Sequence, residues 1–221
     1  FEAWRTTLGK ISGGYQAELT EVAASRAATL AAATQVNAVQ VADSGANLAA
    51  AWNTLGLLGS KLTDVAQTDD ALLALTTAQW ANGRALADKF SSTLGVSVSG
   101  ASVADLASLG GDSAVQALQL QDNADTISAA WDDVLSAFGG DARLTQISLT
   151  DPGTALTMSA TTYAASTDLL SRVRNGAYSV ALSDAALSDA ATLQADSHVA
   201  SFDASGASTD IAAAWDALAG Y

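Results

Sequence analysis

One histidine and a recurring acid are the residues of this 221-residue chain whose types and spacing suit chemistry. His198 stands between Ser197 and Val199, with Asp196 and Asp203 close by in sequence. Serine, imidazole and carboxylate are the parts of a nucleophilic triad, in which the imidazole takes the hydroxyl proton and the acid orients it. No nucleophile-elbow motif accompanies His198, and no other stretch of the chain carries a counterpart of it. It falls in a turn entering the last expected strand. A turn histidine is the preferred reading, and the chain is read as non-catalytic, with no catalytic and no cofactor-binding residue.

The acid closes a short pattern of aliphatic, any, aliphatic, any, acid. Its clearest copies are Val39-Gln40-Val41-Ala42-Asp43, Leu118-Gln119-Leu120-Gln121-Asp122, Ile147-Ser148-Leu149-Thr150-Asp151 and Val180-Ala181-Leu182-Ser183-Asp184. Looser copies end at Glu21, Asp69, Gly100 and Asp203. Carboxylates stacked at successive strand ends would repel, and calcium relieves such repulsion with oxygen ligands, which makes Asp43, Asp69, Asp122, Asp151 and Asp184 candidate metal ligands. Asp69-Asp70 and Asp132-Asp133 add oxygen-rich spots. Against calcium, no calcium-loop spacing is present. The favoured expectation is that each acid caps the start of its own helix, where the macrodipole welcomes negative charge. Gly110-Gly111-Asp112 and Gly139-Gly140-Asp141 are read as helix ends with a left-handed glycine.

Elements must position these acids, and the alternation itself supplies the strand: period two is the mark of a strand with one buried face. Parallel strands are expected near residues 17–19, 39–41, 63–67, 95–98, 117–120, 145–149, 178–182 and 199–202. An alanine-rich run after each acid reads as a helix. Leu48, Trp52 and Leu55 fall on one helical face, as do Ile127, Trp131 and Val134. Asp43-Ser44 and Asp122-Asn123 offer acceptors for the free N–H groups at helix starts. Thr76-Thr77-Ala78-Gln79 has capping-box spacing, and its helix should carry Trp80, Ala87 and Phe90 inward. The runs 22–30 and 185–193 read as helices with alanine on their inner faces, and Pro152 suits a turn or a first helical position.

A longer period lies over the short one. Trp52, Trp131 and Trp215 follow similar runs, each spaced from the next by roughly 80 residues. Trp4, Trp80 and Tyr163 make a second register at a similar spacing. Gly14-Tyr15 matches Ala177-Tyr178, and Ala27-Ala28-Thr29-Leu30 matches Ala190-Ala191-Thr192-Leu193, both at close to twice that spacing. The chain is therefore one repeat array over 1–221, with long repeats of roughly 80 residues at about 1–35, 36–114, 115–198 and 199–221, each full repeat holding strand–helix modules of about 26 residues. Both ends cut through repeats, so neighbouring repeats or identical subunits are expected to cover them.

Parallel strands stack about 4.8 Å apart and helix axes need about 8–10 Å, so strands must line the inner side of a curved ladder. The expected fold is an α/β right-handed solenoid, with the parallel sheet on one side and helices on the other, its hand following the rule for strand–helix–strand crossovers. Leucine-rich repeats share this architecture but not its sequence signature.

Charge and composition remove several function classes. A net charge of −14, from nine basic and 23 acidic residues, repels phosphate backbones and anionic membrane surfaces. No apolar run is long enough to span a bilayer, so neither nucleic acid nor membrane insertion is expected. Hydrophobic residues make up 49% but aromatics only 6%, so cohesion must come from many small contacts. The absence of cysteine points outward, to an extracellular or cell-surface setting.

The strand residues Glu18, Gln40, Ser97, Ser99, Gln119, Ser148 and Thr150 should face away from the helices. That face has almost no aromatic or arginine anchors of the kind that dominate recognition surfaces. A solvated spacer face is preferred, with a module binding protein or glycan on its strands as the alternative. The pattern V-x-V-x-D before an Ala/Asn-rich helix, with the later Leu144-Thr145-Gln146-Ile147-Ser148-Leu149-Thr150-Asp151, resembles the Ala/Asp-rich repeats of very large secreted surface proteins of Gram-negative bacteria, adhesin-like and RTX-type exported proteins among them. That resemblance implies export to the cell surface and a structural or adhesive role, and it assigns no catalytic residue.

Overall fold

The computed structural model describes residues 10, 14–174, 178–206 and 209–211. Trp4, Trp215 and the terminal runs containing them lie outside the described residues, as does Ala177. The remainder is α/β, with three sheets among the described residues, and every registered strand pair is parallel. The chain divides into two compact parts: Phe1–Ser99 with Ser113–Gln116, and Gly100–Asp112 with Ala117–Tyr221.

In the first part, β1 (Ala17–Val22), β2 (Val36–Asp43) and β3 (Leu62–Gln67) form one sheet in that order. The crossovers are α1 (Ala24–Ala31) and α2 (Gly45–Gly56), as parallel pairing demands. Next come β4 (Leu73–Thr76), α3 (Thr77–Asn82), α4 (Arg84–Ala87) and β5 (Val96–Ala101), with β4 paired to β5. Val36, Val39, Val41, Leu62 and Val65 supply the strand side of the core; Leu48, Trp52 and Leu55 supply the helix side.

The second part follows the same plan. A 3-10 turn at Val103–Asp105 leads into α5 (Leu106–Gly110), β6 (Val115–Asp122), α6 (Ala124–Ala129), α7 (Trp131–Phe138) and β7 (Leu144–Leu149). Then follow β8 (Leu156–Ser159), α8 (Ala160–Ala165), α9 (Thr167–Ser171), β9 (Val180–Ala186), α10 (Ala190–Ala195) and β10 (Val199–Ser205). β6 pairs with β7, and β9 lies between β8 and β10. All eight expected strands are present.

Several expectations are corrected. β4 and β8, four residues each, are strands beyond those expected: Leu73 and Leu75, and Leu156 and Met158, alternate with exposed residues, and each strand runs straight into the cap of the following helix at Thr76 or Ser159. The helix read from Ala185 begins only at Ala190, because β9 continues to Ala186. Likewise β1 runs through Val22 before α1 starts at Ala24. The capping box at Thr76 and Gln79 forms as expected, but the helix is interrupted at Gly83, and Leu86 rather than Ala87 turns fully inward. The helices do end at Gly110 and just before Gly139, yet Gly111 and Gly139 at their C-caps keep right-handed φ of −79° and −57°.

Left-handed backbone lies instead at the closing position of three strand copies. Glu21, Gly100 and Asp184 have φ of 54°, 69° and 55°. In β1 and β9 this residue falls within a bulge: Leu19 and Val22 face Val39 and Val41, while Leu182 and Ala185 face Phe202 and Ala204. The bulge resets the alternation, so Val22 and Ala185 turn into the core; Ala101, which follows the left-handed Gly100, is buried as well. Glu21 and Asp184 thus serve a backbone turn within their strands, where only a residue tolerant of φ > 0 fits comfortably.

Candidate functional site

The remaining acids do something the sequence did not suggest. Asp43 sits just before α2, whose own cap is Ser44, accepting from the Asn47 N–H. Asp43 Oδ1 accepts from Ser44 N–H and Asn47 Nδ2, at 2.9 and 2.7 Å, but Oδ2 accepts from Ala24 N–H at 2.9 Å. Ala24 is the first residue of α1, one module earlier. The Asp43 carbonyl meanwhile accepts from Thr68 N–H, beyond the next strand.

The same reach recurs. Asp69 Oδ1 accepts from Gly45 N–H, the first residue of α2, at 3.0 Å. Asp122 Oδ2 accepts from Val103 N–H, opening the 3-10 turn ahead of α5, at 3.2 Å. Asp151 Oδ1 accepts from Ala124 N–H, the first residue of α6, at 2.7 Å. Asn123, like Ser44, caps its own helix by accepting from Thr126 N–H. The expectation of one acid for its own helix is corrected in part: these four carboxylates close the helix before, while Asp43 and Asp122 also accept from the N–H of their own helix's cap residue, Ser44 and Asn123, both at 2.9 Å. In α2 and α6 a neutral side chain already occupies the local cap, and the strand offset carries the acid to the neighbouring helix.

The acids do not stack on one another. Strand register sets Gln67 beside Asp43 and Leu149 beside Asp122. Hydrogen bonding from the Asn47 amide, opposed by burial and supported by the Ala24 and Ser44 N–H groups, holds Asp43 below the ordinary carboxylate value. The Gln67 amide does the same for Asp69, with help from Gly45 and Ala71 N–H. Asp184, in its bulge, accepts from the Ser183 hydroxyl at 3.2 Å. Among the described residues no group of three or more carboxylate or imidazole side chains is placed to hold a metal ion.

Basic side chains make the complementary contacts at the other helix end. Lys61 Nζ donates to the carbonyl of Ala31, the last residue of α1, at 2.5 Å. Arg143 Nη1 donates to the carbonyl of Gly110, the last residue of α5, at 3.0 Å, while Asp141 holds its Nε and Nη2. Arg172 Nη1 reaches the carbonyls of Phe138, Asp141 and Leu144 around the end of α7, with Asp168 binding its Nη2. Sequence reasoning missed these cations, although Lys61-Leu62-Thr63 and Arg143-Leu144-Thr145 recur one long repeat apart. Their threonines match as well: Thr63 and Thr145 hydroxyls donate to the carbonyls of Val39 and Leu118.

His198 lies in a tyrosine cluster. Its N–H donates to Asp196 Oδ1 at 2.9 Å, its Nδ1 is 3.4 Å from the same oxygen, and its ring stacks on Tyr178 with centroids 4.4 Å apart. Tyr163 donates its hydroxyl to Asp196 Oδ2 at 2.6 Å. Burial, with the hydrogen bond to Asp196 second, pushes the Tyr163 phenol well above its usual range, while that hydroxyl and the His198 N–H hold Asp196 low. Asp203 is a residue of β10 outside the cluster, and its side chain is not engaged with His198. The acid beside the imidazole is Asp196, and no serine hydroxyl of the described residues joins them.

A pocket of about 380 Å³ lies in the second part, lined by Leu106, Val134, Ala137 and Phe138, with Asp133 and Arg143 as its charged members. The Arg143 guanidinium is already committed to Asp141 and Gly110. On the strands, the polar residues expected to face outward are part-exposed or exposed, and Gln40 donates to Glu18 at 2.7 Å across β1 and β2. No helix among the described residues is long and apolar enough to cross a membrane. Comparison with protein-family models, curated proteins and solved structures returned no match.

Proposed function

We propose that the chain is a non-catalytic, extracellular structural or adhesive segment of a larger surface protein, its modules wound as a right-handed solenoid. The observation that carries this reading is where the charges go: Asp43, Asp69, Asp122 and Asp151, with Lys61, Arg143 and Arg172, are each engaged with the backbone of the module before. Side chains used this way hold modules together. That is the requirement of a spacer, whose product is its own length and cohesion.

Two measurements test it together. Antibodies against this chain should label intact cells of its source, and single-molecule extension of the chain should proceed through discrete module-sized steps under force. A wholly cytoplasmic antigen would overturn the surface assignment; extension without steps would overturn the spacer assignment.

A further inference from the structure

Among the described residues, the charged side chains that close a neighbouring module's helix reach the same way. Ala24 N–H, at the start of α1, is bound by Asp43, and Ala31 C=O, at its end, by Lys61. Both partners come from later in the chain, flanking α2. In the second part, Asp122 and Arg143 make the same two contacts with Val103 N–H and Gly110 C=O. Asp151 and Arg172 close the α6–α7 stretch at Ala124 N–H and Phe138 C=O. The charge signs match the helix dipole at both ends, so each pair of contacts adds electrostatic attraction to hydrogen bonds that the helix lacks by itself.

From this we infer that stability is handed along the chain in one direction: an acid and a base of the following module complete α1, α5 and the α6–α7 stretch, and an acid alone does so for α2. The local polar caps, Ser44 and Asn123, serve only their own helix. A helix is therefore finished by the arrival of the next module, and loss of a module exposes the helix on its N-terminal side. This inference concerns cohesion alone and holds wherever the protein acts.

The test is residue-resolved amide hydrogen exchange on the full 221-residue chain under native conditions. Asp43→Ala should speed exchange at the start of α1, near residues 24–27, by about fivefold, the effect of losing one helix cap, with a smaller change in α2. Ser44→Ala should do the reverse, speeding α2 and leaving α1 unchanged. Lys61→Met should loosen the C-terminal turn of α1, and it keeps the test decisive if Asp43→Ala fails to fold. Acceleration confined to α2 in Asp43→Ala, or an unchanged α1 in Lys61→Met, overturns the inference.

Discussion

Trp131 donates its indole N–H to Ser166 Oγ at 2.7 Å, and Ser166 Oγ donates in turn to the Thr162 carbonyl at 2.6 Å. One long repeat earlier, Trp52 donates directly to the Gln79 carbonyl at 2.8 Å. Gln79 and Gly83 hold the places in their repeat that Thr162 and Ser166 hold in the next. At Gly83 a Cβ would lie 1.9 Å from the Trp52 Nε1, so glycine is what lets the ring reach the carbonyl. The second repeat keeps a side chain there and routes the same hydrogen bond through it.

Ser166 is fully buried, so Ser166→Ala should strand the Trp131 N–H without an acceptor and cost about 1–3 kcal/mol. Ser166→Gly, which opens the direct path used by Trp52, should cost less than the alanine variant. Urea unfolding with tryptophan fluorescence measures both, and a glycine variant less stable than the alanine one refutes the relay.

Gly83→Ala should be destabilising by about 1–3 kcal/mol through overpacking against the Trp52 ring, with Trp52 also displaced from Trp80 at 5.9 Å and Phe90 at 6.1 Å. Near-ultraviolet circular dichroism should change along with the unfolding midpoint. A variant of wild-type stability would show that the indole is not held where described.

Trp52 and Trp131 occupy equivalent helix positions, 0% and 1% exposed. Trp131→Ala should therefore cost about 3–5 kcal/mol, and Trp52→Ala a similar amount. Equilibrium denaturation of the two variants checks this; a cost below about 1 kcal/mol in either contradicts full burial.

Acid should weaken the seams between modules. Asp43 is held below its ordinary value of 3.8 chiefly by the Asn47 amide, and a carboxylate with a depressed folded value contributes stability that is full above the unfolded value and lost as pH falls through the folded one. Stability should decline from about pH 4 downward, and Asp43→Asn should flatten that part of the profile. An unchanged acid limb in this variant counts against the contact. At the alkaline end the sign reverses for Tyr163. Its raised phenol contributes stability present below the ordinary value of 10.0 and lost as pH rises, so Tyr163, together with Tyr178, which burial also raises, should resist ionisation when absorbance is followed past pH 10.0.

Strand and helix were legible in the sequence because they depend on local periodicity. Alternating aliphatics at Val39 and Val41, or Leu118 and Leu120, bury one face whatever partner lies beneath them. The equivalence of Trp52 and Trp131 was legible for a related reason: similar surroundings recur one long repeat on, and similar sequence packs alike. Even the capping box at Thr76 is a local contact, made with Gln79 inside the same turn.

Only the tertiary structure decided which helix each acid serves. Asp43 and Ala24 are 19 residues apart, and Asp151 and Ala124 are 27, separations that propensity and capping rules do not span. The pairing arises because parallel register sets the end of one strand beside the start of the preceding helix, a place the carboxylate reaches once Ser44 or Asn123 has taken the local N–H. In the same way Glu21 and Asp184 look like their neighbours in sequence, and only the bulged pairing with residues 39–41 and 202–204 turns them into left-handed strand residues. Local order was written in residue spacing; the destination of each charge depended on which backbone the fold brought within its reach.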